Sequence, residues 1–287
     1  MSDSTDPFLL FLHVPKNGGT TLRSIVDLQY GPASVLTYYN QTDRQLLDNV
    51  PYMLLKPDLP YRALIGHFHF GVHDPLPERV RYVTLLREPI ARTISEYHER
   101  LATGPTRAEL AKPDGTYLSL AEALERYPEH YDNQQVRYIA GVREGRAVNE
   151  KDLARALANL DGHFAFVGTV ERFDESLLLM GRRLGWRPCV YDRLNRKGGM
   201  RHATEQAVHE RLLALNELDL RLYTAVAQRL DAEIAAAGPE LATALAELNA
   251  ALDQRRASHD GRPREADFVE GLDAVERVLP YPPAAAA

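Results

Sequence analysis

Cysteine, tryptophan, lysine and long apolar runs are all scarce in this chain. The single cysteine, Cys189, cannot form an internal disulfide, which weakly favours a reducing compartment. No stretch approaches the roughly 18–20 apolar residues that a membrane helix needs. The apolar run at residues 8–14 is short, and it follows the acidic Asp3 and Asp6 instead of the basic residues of a signal peptide. We therefore interpret this run as a strand.

A strong charge of either sign is also lacking. The 287 residues include 34 basic and 40 acidic side chains, which gives a net charge of −6. This mild acidity disfavours general nucleic acid binding, which usually needs a basic face, but it allows a small and locally basic anion site. The hydrophobic fraction of 45% is typical of a globular chain. At this length we expect one large α/β domain, or one domain with an appendage.

Apolar runs alternate with helical patterns along the chain. Strands are predicted at residues 8–14, 63–67, 82–86 and 164–168. Helices are predicted at residues 21–28, 89–101, 119–127, 149–160 and 174–184 and from residue 204 onwards. Because strands and helices alternate, we expect a central parallel sheet of about four to five strands with helices on both faces.

The composition changes at Gly238 and Pro239. Residues 238–287 hold nine acidic and five basic side chains, and four leucines form an apolar stripe at helical spacing: Leu241, Leu245, Leu248 and Leu252. We expect the stripe to pack on its own domain, and a homodimer contact is the alternative. The sequence thus predicts a domain at 1–237 and an acidic C-terminal tail at 238–287, helical first and then disordered.

Two segments carry chemistry suited to an anion. The first is a glycine-rich turn between the first strand and the first helix, formed by Pro15, Lys16, Asn17, Gly18, Gly19, Thr20 and Thr21. Backbone N–H groups of such a turn close on an anion, and the helix N-terminus favours negative charge. The second segment follows the third strand, where Arg87 can make a forked contact to a phosphate and Ser95 can add a hydroxyl.

Together these segments resemble the 5′-phosphosulfate and 3′-phosphate motifs of sulfotransferases that use 3′-phosphoadenosine 5′-phosphosulfate (PAPS). The branch that they resemble includes heparan sulfate 2-O-sulfotransferase and many bacterial sulfotransferases. Further segments at residues 66–68, 132–137, 166–173 and 196–198 are similar to that branch. The resemblance covers about residues 8–230. It implies a P-loop-NTPase-like sulfotransferase fold with a C-terminal helical tail.

The resemblance also implies roles for individual residues. His67 is expected to be the base that accepts the acceptor's proton, and Lys16 is expected to neutralise the leaving phosphate. The 5′-phosphate would lie on the turn at residues 15–21. The residues expected at the 3′-phosphate are Arg87, Ser95, Arg196, Lys197 and Gly198. The residues expected at the acceptor are His69, Asn133, Gln134 and Arg137.

Several alternatives stay open at this stage. On a strand His67 and His69 would face the same side, so His69 is a competing base. Two histidines on one face could also bind a metal ion, but this interpretation is less favoured because no third ligand is evident. His13 is interpreted as a packed core histidine. An ATP-dependent small-molecule kinase and a catalytically silent PAP-binding scaffold are the alternative functions. The kinase is disfavoured because Lys16 precedes the glycines.

The acceptor and the location are also expectations. We expect PAPS as co-substrate, PAP as product and no metal, with a carbohydrate or small-metabolite hydroxyl as acceptor. We expect no nucleic acid partner and no membrane span. Animal relatives of this branch are anchored in Golgi membranes, and since this sequence shows no anchor we expect a soluble cytoplasmic enzyme.

Overall fold

The computed structural model describes residues 7–39, 50, 60–74, 80–102, 104–143, 145–191 and 205–258. Its centre is a sheet of five parallel strands, in the order β2-β3-β1-β4-β5. The strands are β1 (Phe8–Leu12), β2 (Val35–Tyr38), β3 (Ala63–Gly66), β4 (Val80–Leu86) and β5 (Phe164–Thr169). The predicted parallel sheet is therefore confirmed. β2 has only four residues and is not among the strands predicted from the sequence.

The order of the strands fixes where a ligand can bind. β1 pairs with β3 on one side and with β4 on the other, in parallel register. Leu9 to Leu12 are buried, as expected for a central strand covered on both faces. β2 and β3 lie on one side of β1, whereas β4 and β5 lie on the other. The strand order therefore reverses at β1. Ligands of open α/β sheets bind at the carboxyl ends of the strands at such a point.

The described ranges contain nine α-helices. They are α1 (Gly19–Tyr30), α2 (Pro89–Ala102), α3 (Gly104–Glu109), α4 (Leu120–Arg126), α5 (Gln134–Ala140), α6 (Glu150–His163), α7 (Phe173–Leu184), α8 (Gln206–Leu215) and α9 (Glu217–Ser258). The predicted capping box of α4 is confirmed, since the Ser119 side chain accepts from the Glu122 amide and Glu122 accepts from the Ser119 amide. Asn149 caps α6 in the same way, with Asp152 as its partner.

The C-terminal helix belongs to the same core as the sheet. α9 is interrupted at Gly238, whose φ of 57° breaks the helical geometry just before Pro239. Leu241, Leu248 and Leu252 beyond this kink are buried in the cluster that also contains core residues of β1 and α7. The leucine stripe thus packs on its own domain. Residues 259–287, where the sequence predicts a disordered end, lie outside the described residues.

No helix in the described part of the chain combines the length and the apolar character needed to cross a membrane.

A buried carboxylate joins α9 to α5. Asp219 is fully buried, and its side chain accepts hydrogen bonds from the backbone amides of Gln135 (3.0 Å) and Val136 (2.7 Å) at the first turn of α5. In return the Asp219 amide donates to the Asn133 side-chain oxygen over 2.9 Å. Burial raises the pKa of Asp219 to about 6, against the opposing effects of the Arg92 guanidinium and the two amides. The start of α5 is thereby fixed to the start of α9.

Replacing this carboxylate should destabilise the fold. In Asp219→Ala two buried amides lose their acceptor and the buried Arg92 loses its nearby counter-charge, so we expect the free energy of unfolding to fall by about 2–4 kcal/mol. Denaturant unfolding of the whole chain measures this loss. Asp253→Ala is the matched control, because Asp253 is exposed and pairs with the exposed Arg256 one turn away. Equal midpoints for the two variants would contradict the prediction.

Candidate functional site

The glycine-rich turn links β1 to α1 at the carboxyl edge of the sheet. Lys16 and Gly18 both have left-handed backbone angles, with φ of 71° and 73°. Gly18 is the N-cap of α1 and provides no side-chain hydrogen bond to the helix, and the first turn of α1 holds no acidic residue. Because the first amides of a helix have no partner within it, this turn leaves donors for an anion. The predicted anion-binding turn therefore has suitable backbone geometry.

The second glycine of the turn is required by a neighbouring ring. A Cβ placed on Gly19 would lie only 1.8–2.1 Å from three ring atoms of His13. His13 is therefore packed as expected, but against the turn and not inside the sheet. Both of its ring nitrogens are buried without a hydrogen-bond partner among the described residues. Burial, with smaller effects of His67 and Lys16, holds the pKa of His13 well below its usual value.

His67 lies directly after β3 and faces the residue that follows β1. Its Nδ1 is 2.8 Å from the backbone oxygen of His13, and the two imidazole rings are 4.5 Å apart. A carbonyl oxygen can only accept a hydrogen bond, so Nδ1 carries a proton and the neutral ring has its free lone pair at Nε2. The Tyr39 ring, 4.9 Å away, completes the surroundings of His67.

The electrostatic environment favours the neutral form of His67. Burial lowers the pKa of His67 below its usual value, and Lys16 lowers it further. The hydrogen bond to His13 and the charge of Glu96 act in the opposite direction. A neutral imidazole with a free Nε2 has the properties of a general base.

His69 points to a different part of the molecule. Because β3 ends at Gly66, His67 and His69 do not lie on a strand, and the expectation that they share a face is wrong. The His69 ring stacks on Tyr138 of α5 at 4.3 Å. Burial lowers the pKa of His69 to about 4, with Arg137 and Arg143 contributing. The two histidines thus have separate surroundings, and the one next to the turn is His67.

Two cationic side chains lie at the turn. The ammonium group of Lys16 forms an ion pair with Glu99 of α2 over 3.0 Å. Arg87 follows β4, and its Nη1 donates to the Lys16 carbonyl oxygen over 3.0 Å. Ser95 is partly buried on α2. The structure therefore brings Lys16 and Arg87 together from segments 71 residues apart, as the ligand hypothesis requires.

The predicted acceptor residues on α5 and just before it are mostly engaged inside the protein. Asn133 is buried and bonds to Asp132 and to Asp219. Arg137 is also buried, and its guanidinium bonds to Asp132 and to the carbonyl oxygens of residues 143 and 146. Gln134 is partly buried and donates to the Glu129 carbonyl oxygen. These contacts differ from the prediction that the three side chains bind the acceptor, because their polar atoms form hydrogen bonds that hold α5 in place.

Gln135 of the same segment is not among the residues predicted to contact the acceptor, yet it contacts the turn. Its side chain is fully buried between Asn17 of the turn and the backbone of Arg87. The resemblance identified the segment at 132–137, but only the three-dimensional contacts distinguish Gln135 from its neighbour Gln134. Arg196, Lys197 and Gly198, which were expected at the 3′-phosphate, lie outside the described residues.

The described residues contain no group of three or more histidine, cysteine, aspartate or glutamate side chains arranged to hold a metal ion.

Comparison with known proteins gives the family. Residues 36–262 match the family model described as galactose-3-O-sulfotransferase. Galactose-3-O-sulfotransferase 3 from Bos taurus is 29% identical over 178 residues, which cover 57% of this chain and 42% of the relative. Galactosylceramide sulfotransferase from Bos taurus is 24% identical over 236 residues, which cover 75% of this chain and 55% of the relative. The matched segments thus span about half of the length of these relatives.

Among solved structures, a sulfotransferase from Alicyclobacillus acidocaldarius is similar, with 19% identity and a TM-score of 0.45 over 76% of this chain and 94% of that chain. The expected membership in the PAPS-dependent sulfotransferases is confirmed, although the matching family is named for galactose and not for heparan sulfate. Since the family match covers most of its length, the chain belongs to the galactose-3-O-sulfotransferase family.

Proposed function

We propose that this protein transfers the sulfuryl group of PAPS to an acceptor hydroxyl and releases PAP. The observation that carries this proposal is the contact between His67 Nδ1 and the His13 carbonyl oxygen, because it leaves Nε2 as a proton acceptor beside the turn of Lys16. Membership in the galactose-3-O-sulfotransferase family supports the same reaction.

In the proposed reaction each group at the turn has one role. The oxygen of the acceptor hydroxyl bonds to sulfur, and the bond between sulfur and the bridging phosphate oxygen breaks. At the same time His67 Nε2 accepts the proton of the hydroxyl. Lys16 stabilises the negative charge that the leaving phosphate gains, for which its ammonium group has to exchange Glu99 for the phosphate. The proton thus ends on His67 and the electron pair on the phosphate that Lys16 faces.

The turn and Arg87 fit the two phosphates of the donor. The amides at the start of α1, where the helix has no side-chain cap and no acidic residue, are proposed to bind the 5′-phosphate. Arg87 and Ser95 are proposed to bind the 3′-phosphate, which distinguishes PAPS from ATP. Arg196, Lys197 and Gly198 are kept as part of this proposal from the sequence. PAPS supplies the activated sulfuryl group when it is bound.

We propose a sugar hydroxyl as acceptor, with the 3-hydroxyl of a galactose unit as the first to test. The names of the matched family and of its bovine member support this choice. The net charge of −6 favours a neutral sugar over a long polyanionic chain, which would need an extended basic groove.

Two further parts of the proposal concern the surroundings of the protein. We propose a cytoplasmic location, which the single cysteine weakly supports and which fractionation of producing cells would test.

A homodimer through α9 would have to use the exposed side of that helix, because Leu241, Leu248 and Leu252 are buried within the protomer. Sedimentation of the full chain distinguishes monomer from dimer.

The first prediction concerns ligand binding. PAP at about a hundred times its dissociation constant should stabilise the protein by about 2.7 kcal/mol, which a thermal melt detects, whereas ATP with Mg²⁺ should stabilise it less. In Arg87→Ala the stabilisation by PAP should be lost, because the 3′-phosphate loses its guanidinium. Arg229→Ala is the control, since Arg229 pairs with the exposed Asp161 and should leave the stabilisation unchanged. Stabilisation by ATP alone would instead favour the kinase.

The second prediction concerns the base. His67→Gln should lower kcat by about 10²–10⁴-fold while PAP still stabilises the variant, because only the proton acceptor is removed. His209→Gln, on the exposed face of α8, should retain full activity. Turnover measured with a galactoside acceptor at saturating PAPS tests both variants. Unchanged turnover in His67→Gln would exclude His67 as the base.

The third prediction concerns pH. Because burial lowers the pKa of His67, the neutral base persists below the ordinary histidine range, and protonation removes it only in more acidic solution. The acid limb of kcat/KM should therefore have its midpoint below the ordinary histidine pKa of 6.5, with activity falling as the pH decreases through that midpoint. A pH–rate profile measures this directly. A midpoint above the ordinary histidine pKa would contradict the assigned environment of His67.

A further inference from the structure

The side chain of Gln135 contacts both anion-binding segments at once. Its Oε1 accepts from Asn17 Nδ2 and from the Arg87 backbone amide, each over 2.9 Å. Its Nε2 donates to the Arg87 carbonyl oxygen, also over 2.9 Å. The side-chain amide of Gln135 thus pairs with both the N–H and the C=O group of Arg87. Its oxygen also accepts the hydrogen bond from Asn17 of the turn.

Only a primary amide of this length meets these requirements. Arg87 offers one donor and one acceptor, so its partner has to accept and donate from neighbouring atoms. A glutamate would place an oxygen against the Arg87 carbonyl oxygen, and a methionine would fill the volume of Gln135 without either hydrogen bond. The residue is 0% exposed, so water cannot replace the lost contacts without entering the core.

The backbone of Gln135 is itself held from the opposite side. Its amide donates to the carboxylate of Asp219, which is fixed on α9. Asn17 is also held by β4, because its Nδ2 donates to the Leu85 carbonyl oxygen over 2.8 Å. The Arg87 guanidinium then reaches the Lys16 carbonyl oxygen. These contacts close a ring that runs from α5 through Asn17, Lys16 and Arg87 and returns to Gln135.

We propose that Gln135 is a positioning residue that sets the distance between the turn and Arg87, and so lets a ligand with two phosphates bind both segments together. This inference rests on the proposed function, since it concerns the same donor site. A ligand with a single phosphate uses one segment and does not depend on their separation. A ligand with both phosphates gains affinity only where the two segments are held at the correct spacing.

The experiment compares three probes on the full chain by calorimetry: adenosine 5′-monophosphate, adenosine 3′-monophosphate and PAP. In Gln135→Met we expect the affinity for PAP to fall at least about tenfold, whereas that for each monophosphate falls less than about threefold. Gln206→Met is the control, because Gln206 is exposed on α8 and donates to Glu210 one turn away. In turnover, the KM for PAPS should rise more than kcat falls.

Distinct outcomes separate the ways in which the inference can fail. Unchanged PAP affinity in Gln135→Met, or an equal loss for all three probes, would overturn the positioning role alone. Failure of the unaltered chain to bind PAP would overturn the proposed function and the inference with it. If Gln135→Met does not fold, Gln135→Glu keeps the size and the acceptor oxygen and loses the donor, and it should show the same selective loss of PAP.

Discussion

The pairing of β1 with both β3 and β4 is the constraint on which the site depends. All three strands end at the same edge of the sheet, and each is followed at once by a residue of the site. These residues are His13 after β1, His67 after β3 and Arg87 after β4. The parallel register gathers them although they are far apart in the chain. The sheet therefore fixes the position of the candidate site, whose residues directly follow the ends of these strands.

Much of this arrangement could be predicted because it depends on local patterns. The apolar runs predict four of the five strands, and the glycine-rich sequence predicts the turn between β1 and α1, where the candidate anion-binding segment lies. Ser119 and Glu122 predict the start of α4 because a capping box is formed within four residues. Such features are set by neighbours in sequence, so a pattern is sufficient to find them.

The parts that could not be predicted depend on contacts between distant segments. The sequence offers no reason to separate Gln135 from Gln134, since the difference arises from Asn17 and Arg87, which are 118 and 48 residues away. The separation of His67 from His69 likewise requires the end of β3 at Gly66 to be known. The strand predicted at residues 8–14 includes His13 and predicts an interior position for it, whereas β1 ends at Leu12 and the His13 ring lies against Gly19.

Lys16 has a left-handed backbone conformation, which is energetically unfavourable for a residue with a side chain. Its φ of 71° is a conformation that glycine adopts freely and that costs a residue with a side chain roughly 1 kcal/mol. The sequence has a lysine there although a glycine would relax the backbone. If the ammonium group has the role proposed for it, stability and catalysis make opposite demands at this position. Selection for thermal tolerance alone would then favour a glycine at position 16 and would remove the ammonium group proposed to stabilise the leaving phosphate.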